Sequence, residues 1–250
     1  MSGIERGGSW AWLMWLAAEA TAAPVLVVGT EFANVFEKSA SGEYVGLGVD
    51  ILRAIAKQRG DNLNFEIYPW PRAQLMVENH QAQILIGPYK TPEREAKFVF
   101  ARRAFYRDQM VFYVRAGAGQ TWDGRYASLQ GARIGVINGW VYGPQFESMR
   151  AMLKPEVANS LTIGLNMLMA HRFDLLASNM RNTEALARKL NIENDLAVIE
   201  PVMDVQDGYM AFCKQSACDA LRQYYDDAFD TLRDSGELAR MARKYNVRLP

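Results

Sequence analysis

Residues 86–94 read Ile-Gly-Pro-Tyr-Lys-Thr-Pro-Glu-Arg, and this stretch says most about the fold of the chain. The apolar residues 84–86 predict a strand that ends at the glycine. Thr91 is a typical helix N-cap, and Pro92 suits the first helical position. Arg94 then falls in the first turn, where a cation opposes the helix dipole at a cost of roughly 0.3–1 kcal/mol.

An arginine in this first turn has two interpretations. The first is an anion site, because a guanidinium and the free backbone N–H groups of a helix N-terminus would converge on one ligand. The second is a surface arginine that pairs with Glu93 or Glu95. The local pattern leaves both interpretations open.

Length and composition define the class of protein. The chain has 250 residues, half of them hydrophobic, and can bury a large core as one domain or as two lobes. Lys plus Arg and Asp plus Glu are equal at 28 each, so no nucleic-acid partner is expected. No apolar run reaches the roughly 18 residues that a membrane-spanning helix needs.

The N-terminus has the pattern of a signal peptide over residues 1–22. Arg6 precedes the apolar stretch 10–18, and Ala20-Thr21-Ala22 has the small residues that a signal peptidase cuts after. The alternative is a buried N-terminal helix. Pro24 disfavours it, because proline blocks helix continuation and a predicted strand follows at once.

Cysteine and histidine are scarce. Cys213 and Cys218 are the only cysteines, and an exported protein could join them as a disulfide, although spacing alone does not show that the geometry permits it. The two cysteines by themselves are too few for a protein-only zinc site, and the two histidines, His80 and His171, form no HExxH motif. We therefore expect no metal and no cofactor.

Predicted strands and helices alternate along the chain, which indicates an α/β fold. Residues 116–131 are rich in Gly, Asp and Gln and form a boundary between two units. The segment 214–250 can return to the first unit. This organisation predicts two lobes joined by two crossings.

With these pieces in this order, the chain resembles the bacterial extracellular solute-binding proteins of family 3. These are periplasmic receptors of ABC importers for amino acids and related small solutes. The resemblance covers nearly all of the chain after residue 22 and is carried by five segments: Val25–Glu31, Gly42–Leu52, Gly87 with Thr91–Arg94, Leu129–Val136, and Ser235–Arg240 ahead of Tyr245.

The resemblance implies a periplasmic-binding-protein fold of two α/β lobes with the ligand in the cleft between them, which closes about two hinge crossings. Lobe one would comprise residues 24–113 plus 205–250, and lobe two residues 114–204. The crossings would fall near Tyr113–Arg115 and Pro201–Asp207.

The resemblance also implies ligand-binding residues. Arg94 matches the arginine that pairs with the ligand carboxylate, a task suited to a planar guanidinium. Gly87 matches a residue whose backbone lies along the ligand, and Tyr89 matches a position where a hydroxyl often contacts it. Trp140 and Val141 lie in the lobe-two loop whose N–H groups would reach the carboxylate.

Three departures separate this chain from its amino-acid-binding relatives. Asn179 stands where relatives carry a carboxylate for the ligand ammonium, and an amide does not neutralise that charge. Glu31 replaces a shorter acidic residue after the first strand, and Gln83 replaces an aspartate. The ligand is therefore an amino acid with altered contacts or an anion without an α-ammonium.

Trp70 and Arg72 form a further candidate pair in the strand-to-helix turn 68–72. Trp70 could stack on a ligand, and Arg72 could supply a second cation. Alternatively, Trp70 packs at the edge of the lobe and Arg72 pairs with a surface acid.

These observations predict a monomeric periplasmic binding protein, without catalytic residues, that captures a small carboxylate-bearing solute for an ABC permease at the inner membrane. A ligand sensor for signalling is the first alternative. The second is a dehydratase-like enzyme on the same fold, which needs an acid or base in the cleft and for which Glu31 is the best candidate. The sequence has no nucleophile motif, Cys/His pair or metal set that supports an enzyme.

Overall fold

The structure is a computed structural model that describes residues 24–250. The predicted signal peptide, residues 1–22, lies outside the described residues. Within residues 24–250, every helix is too short or too polar to cross a lipid bilayer.

The first half of the described chain builds most of one lobe and starts the crossing to the other. Its elements are β1 Val25–Gly29, β2 Glu37–Lys38, β3 Tyr44–Val45, α1 Leu47–Arg59, β4 Leu63–Ile67, α2 Trp70–Glu78, β5 Ile84–Tyr89, α3 Pro92–Lys97, β6 Val99–Phe100 and β7 Tyr106–Arg115.

The second half builds the other lobe and then returns. After a 3₁₀ turn at Tyr126–Leu129, its elements are β8 Ile134–Ile137, α4 Pro144–Leu153, β9 Glu156–Ala158, α5 Leu161–Met169, β10 Leu175–Asn179, α6 Met180–Leu190, β11 Leu196–Phe212, α7 Ser216–Asp234 and α8 Glu237–Lys244.

One sheet runs through both lobes of the described chain, in the order β4-β1-β5-β11-β7-β10-β8-β9, with β6 paired to β11. The strands at each end are parallel to their neighbours, as in other α/β proteins, whereas β7 and β11 are antiparallel in the middle. The α/β fold class predicted from the alternation of elements is therefore confirmed.

The two long strands β7 and β11 connect the lobes. They pair from Leu196↔Arg115 to Gly208↔Tyr106, and the register is interrupted between Ile199 and Asp204. Both predicted lobe boundaries, 113/114 and 204/205, lie within these strands. The exact division of residues between the lobes stays a prediction.

The core consists of two groups of buried apolar side chains. The larger lies around β1, β5, α1 and the aromatic residues of β7 and β11. The smaller lies mostly in lobe two and is made by Val111, Tyr113, Ile137, Ala158, Leu165, Leu168, Phe173 and Leu176. The larger group also contains residues of β8, α4 and β10, so the apolar core continues from one lobe into the other. Burial of this apolar surface is the dominant favourable term in folding.

Strand β5 differs from the sequence prediction, because it continues through Gly87 to Tyr89 instead of ending at the glycine. Gly87 has φ +89°, and a Cβ atom there would lie 2.9 Å from the ring of Phe32. The glycine lets the strand pass close under an aromatic ring without leaving the sheet.

Helix α5 has no counterpart in the sequence prediction. Its residues, Leu-Thr-Ile-Gly-Leu-Asn-Met-Leu-Met, are apolar on most sides, so the helical period is weak. Ser160 starts the helix by accepting a hydrogen bond from the Ile163 N–H at 3.2 Å.

Cys213 and Cys218 form a disulfide with a Cα–Cα distance of 5.7 Å. It joins the end of β11 to the first turn of α7. The pairing that the sequence left open is present in the fold.

Helix α3 begins where the sequence predicts. The Thr91 side chain accepts a hydrogen bond from the Arg94 N–H at 3.2 Å, and Pro92 is the first helical residue. The cap fixes the first turn and with it the direction in which Arg94 leaves the helix.

We expect Thr91→Ala to lower the free energy of unfolding by about 1 kcal/mol, because it removes the oxygen that caps α3. Thr91→Ser keeps that oxygen and should stay close to the wild type. Urea denaturation followed by circular dichroism measures both, and equal loss in the two variants would contradict the capping role.

Candidate functional site

Arg94 lies buried at the contact between the lobes, with 7% of its surface exposed. Its Nη1 donates to the Tyr89 carbonyl oxygen at 2.9 Å, and its Nη2 donates to the Gly139 carbonyl oxygen at 2.9 Å. The guanidinium carbon is 5.5 Å from the centroid of the Trp70 ring.

No carboxylate among residues 24–250 forms an ion pair with Arg94. Burial lowers the pKa of the Arg94 guanidinium, because its charged form has lost contact with water. The surface alternative, in which Arg94 pairs with Glu93 or Glu95, is therefore wrong for this structure. The site holds a desolvated cation that is satisfied only by neutral acceptors.

A small cavity of about 10 Å³ lies beside Arg94 between the two lobes. This is room for about one water molecule, so the two lobes lie close together around Arg94. The lining residues are Phe32, Trp70, Gly87, Tyr89 and Arg94 from lobe one, and Trp140, Val141 and Asn182 from lobe two. Six of the nine residues predicted to bind ligand meet there: Trp70, Gly87, Tyr89, Arg94, Trp140 and Val141.

The lobe-two loop faces Arg94 with a carbonyl group. The Gly139 oxygen accepts from Arg94 and also from the Trp70 Nε1–H at 3.1 Å. The Trp140 N–H turns back to the Ile137 carbonyl oxygen at 3.1 Å. The resemblance implied that N–H groups of this loop point at the ligand, whereas in this closed arrangement Gly139, with φ +73°, presents its oxygen instead.

A hydrogen-bonded network lies beneath the cavity. Asn179 Nδ2 donates to the Tyr89 hydroxyl at 2.7 Å, and that hydroxyl donates to Asp108 Oδ2 at 2.9 Å. Burial, followed by the charge of Asp108, raises the pKa of Tyr89 well above its usual value, so the phenol stays protonated. Asn179 thus holds Tyr89 from lobe two.

Arg181 completes this network with a two-pronged ion pair. Its Nε and Nη2 donate to the two oxygens of Asp108 at 2.9 and 2.7 Å. Burial by itself lowers the pKa of Arg181, but the charge and hydrogen bonds of Asp108 outweigh burial and raise it. Arg181 also donates to the Ala33 carbonyl oxygen of lobe one, so the pair ties the lobes together.

Asn182 is a cavity residue that sequence reasoning missed. Its Oδ1 accepts from the Ala33 N–H at 2.9 Å, and its backbone N–H donates to Asn179 Oδ1 at 2.9 Å. Its Nδ2 has no hydrogen-bond partner among the described residues, although only 6% of the residue is exposed. Nothing local marks this asparagine in the sequence, because its contact with Ala33 joins residues 149 positions apart.

Three predicted site residues lie outside the cavity. Glu31 is exposed in an adjacent groove of about 540 Å³, which shares Trp70, Trp140 and Asn182 with the cavity. Arg72 is exposed and lies over the Tyr68 ring, 4.5 Å from its centroid. Asn179 is fully buried below Tyr89.

Trp70 has features of both interpretations, the ring packed within the lobe and the ring that faces a ligand. It is buried and packs edge-on against Phe32, with ring centroids 5.5 Å apart. It also lines the cavity and bonds across to lobe two through Nε1. The ring is therefore core on one side and cavity wall on the other.

Metal ligation has no support in this part of the chain. Within residues 24–250, no group of three or more His, Cys, Asp or Glu side chains is arranged to hold a metal ion.

The family model of the bacterial extracellular solute-binding proteins, family 3, matches residues 26–248. No curated protein matches the chain in sequence.

Three solved structures illustrate the similarity of fold. A histidine kinase sensor domain with similarity to periplasmic binding proteins has a TM-score of 0.81 at 16% identity, covering 92% of this chain and 99% of its own. A substrate-binding protein of an ABC uptake transporter from Streptococcus pneumoniae, with bound histidine, has a TM-score of 0.76 at 17% identity. The match covers 89% of this chain and 92% of that chain. An arginine-, lysine-, histidine-binding protein from Geobacillus stearothermophilus has a TM-score of 0.74 at 21% identity. The match covers 89% of this chain and 95% of that chain.

We expect Asp108→Asn to lower the free energy of unfolding by about 3–5 kcal/mol, because it leaves the Arg181 charge buried without its partner. The matched control is Asp207→Asn, whose partner Arg107 is 38% exposed, compared with 12% for Arg181. The control should cost much less, because solvent screens an exposed ion pair. Urea denaturation compares the two variants, and equal losses would contradict a special role for the buried pair.

Proposed function

The chain belongs to the bacterial extracellular solute-binding proteins of family 3, and from this premise we propose that it captures a small solute with a carboxylate between its lobes. The solute is an amino acid or a related carboxylate, and the receiver is an ABC permease at the inner membrane. The protein acts in the periplasm as a binding protein and performs no chemistry.

The observation that carries this proposal is the buried guanidinium of Arg94, which pairs with no carboxylate of residues 24–250. A desolvated charge of this kind is costly unless an opposite charge joins it. A planar guanidinium fits the two oxygens of a carboxylate side by side. A carboxylate that displaces the Gly139 oxygen would exchange a neutral acceptor for a charged one.

The lining of the cavity supports a ligand with an apolar body. Phe32, Trp70, Trp140 and Val141 surround the polar groups of Arg94, Tyr89 and Asn182. Small-molecule sites usually combine an apolar wall with a few polar anchors. The carboxylate would be held at Arg94 and the remainder of the solute against the rings.

Lobe movement supplies the capture step. The cavity beside Arg94 holds about one water, so a solute reaches Arg94 only when the lobes part at this point. The register break between Ile199 and Asp204 lies in one of the two connecting strands, where a change of backbone angle disturbs few ladder bonds. A solute that contacts Arg94 on one side and Trp140 on the other favours the closed arrangement.

The similar structures support an amino-acid-type solute and an importer. One is a substrate-binding protein of an ABC uptake transporter with bound histidine, and another binds arginine, lysine and histidine. Their identity to this chain is low, so they support the class of solute and leave its identity to experiment.

A sensor is the second candidate function. The histidine kinase sensor domain covers 92% of this chain at a TM-score of 0.81, which favours it. Both roles use the same capture step and differ in the membrane partner. Loss of solute uptake on deletion of the gene would support import, whereas unchanged uptake with a lost transcriptional response would support sensing.

The dehydratase alternative has less support. Glu31, its best acid or base, is exposed in the outer groove and does not line the cavity beside Arg94. A general acid or base must lie within hydrogen-bond reach of the reacting group.

We expect Arg94→Ala to weaken solute binding by about 2–5 kcal/mol, or roughly 30-fold to several-thousand-fold in Kd, because it removes one partner of a buried charge pair. A thermal-shift screen of amino acids and other small carboxylates identifies the solute, and calorimetry then measures Kd.

The matched control is Arg240→Ala, which removes an arginine that is 71% exposed on α8 and pairs with Glu237. It should leave Kd unchanged. Circular dichroism establishes that both variants are folded. Unchanged affinity in Arg94→Ala, or a bound solute that has no carboxylate, would refute the proposed role of Arg94.

A further inference from the structure

We propose that the solute of this site has no α-ammonium and instead carries an oxygen acceptor next to its carboxylate, as 2-oxo and 2-hydroxy acids do. We further propose that the side-chain amide of Asn182 selects this oxygen. The inference rests on the proposed function and names the class of carboxylate that the site prefers.

The charge of the cavity is the first reason. Its lining contains one guanidinium and no carboxylate. An α-amino acid would bring a carboxylate for Arg94 and also an ammonium, for which the lining offers no opposite charge. A buried ammonium without such a partner is strongly disfavoured.

The acid that bonds to a residue of the cavity lining, Asp108, is already engaged. Asp108 receives two hydrogen bonds from Arg181 and one from the Tyr89 hydroxyl. Tyr89 itself stands between Asp108 and the cavity, since it lines the cavity and Asp108 does not. A ligand ammonium would have to displace Tyr89 and compete with Arg181 to reach that carboxylate.

The position at which relatives carry a carboxylate is also engaged. Asn179 uses its Nδ2 on the Tyr89 hydroxyl and its Oδ1 on the Asn182 N–H. Both ends of its side chain therefore serve the protein, and the residue is fully buried below Tyr89. It does not offer an acceptor to a ligand ammonium.

Asn182 offers a hydrogen-bond donor, whereas a ligand ammonium needs an acceptor. Its Oδ1 faces two donors, the Ala33 N–H at 2.9 Å and Arg181 Nη1 at 3.4 Å, and these fix the orientation of the amide. Its Nδ2 is then an unpartnered donor on a residue that lines the cavity. An ammonium has no lone pair to accept this bond, whereas a carbonyl or hydroxyl oxygen does.

The acidic residues of the outer groove do not reverse this argument. Glu31 and Glu37 line that groove together with Lys38 and Lys189, so its side-chain charges balance. Glu37 is further engaged as the acceptor for the Asn34 N–H at 2.9 Å. Neither glutamate lines the cavity beside Arg94, where the α-ammonium of an amino acid would lie.

The test uses sets of three compounds that differ only at Cα. The sets are L-alanine, L-lactate and pyruvate; L-leucine, 2-hydroxyisocaproate and 2-oxoisocaproate; and L-phenylalanine, phenyllactate and phenylpyruvate. Calorimetry measures Kd for each compound with the wild-type protein. In the set that fits best, we expect the oxo or hydroxy acid to bind at least tenfold more tightly than the amino acid.

The other outcomes separate this inference from the proposed function. An amino acid that binds as tightly as its oxo and hydroxy counterparts, or more tightly, overturns the inference and leaves carboxylate capture at Arg94 intact. If none of the nine compounds binds at millimolar concentration, the inference is overturned. If amino acids and other small carboxylates also fail in the thermal-shift screen, the proposed function fails with it.

Asn182→Asp tests the selecting residue directly. The substitution keeps an oxygen for the Ala33 N–H and places a carboxylate oxygen where Nδ2 has no partner. We expect affinity for the amino acid of the best set to rise at least tenfold and affinity for its oxo acid to fall at least tenfold. The control is Asn62→Asp, the same change at an exposed position, which should leave the ratio of the two affinities unchanged.

A merely structural role for Asn182 predicts a different result. In that case Asn182→Asp would weaken the affinity for both compounds by the same factor, and the selecting role would be overturned. Thermal unfolding shows whether the variant is folded. If it is not, Asn182→Ala gives the same readout, because loss of the donor alone should reduce the preference for the oxo acid.

Discussion

A buried guanidinium that has no carboxylate beside it is the constraint on which the site depends. The Thr91 cap and Pro92 start a short helix, and Arg94 leaves its first turn toward the other lobe. The Tyr89 and Gly139 carbonyl oxygens satisfy two of its donors without neutralising its charge. Since the charge is desolvated, an anion gains more from joining it here than it would at the protein surface.

Arg94 and Arg181 both lie between the lobes with little exposure to solvent, and they have opposite roles because their partners differ. Arg181 is neutralised by Asp108 and held by further hydrogen bonds, so its network fixes the arrangement of Tyr89 and Asn179. Arg94 lacks such an acid, and the amide of Asn182 nearby keeps an unused donor. A fully satisfied polar network rigidifies a structure, whereas groups left without partners can still form hydrogen bonds or ion pairs with a ligand.

Direct contacts between the lobes and a bound solute compete for the donors of Arg94. Arg94 and Trp70 already bond to Gly139 across the cleft, and Asn182 bonds to Ala33. A solute shifts the balance between open and closed forms only by its different affinity for the two. The direct contacts between the lobes therefore set the interaction free energy that contacts with a solute must exceed. They also make the affinity for the solute sensitive to residues that never touch the solute.

The sequence by itself determined the alternating α/β pattern, the Thr91 cap and the family, because each depends on residues a few positions apart. It also identified six of the cavity residues through their motifs. Only the tertiary structure decided that β11 is one long strand, that Asn179 turns to Tyr89, and that Asn182 lines the cavity. Those contacts join residues far apart in the chain, 90 positions for Asn179 and Tyr89 and 149 for Asn182 and Ala33. No local pattern encodes them, since they arise only where the two lobes meet.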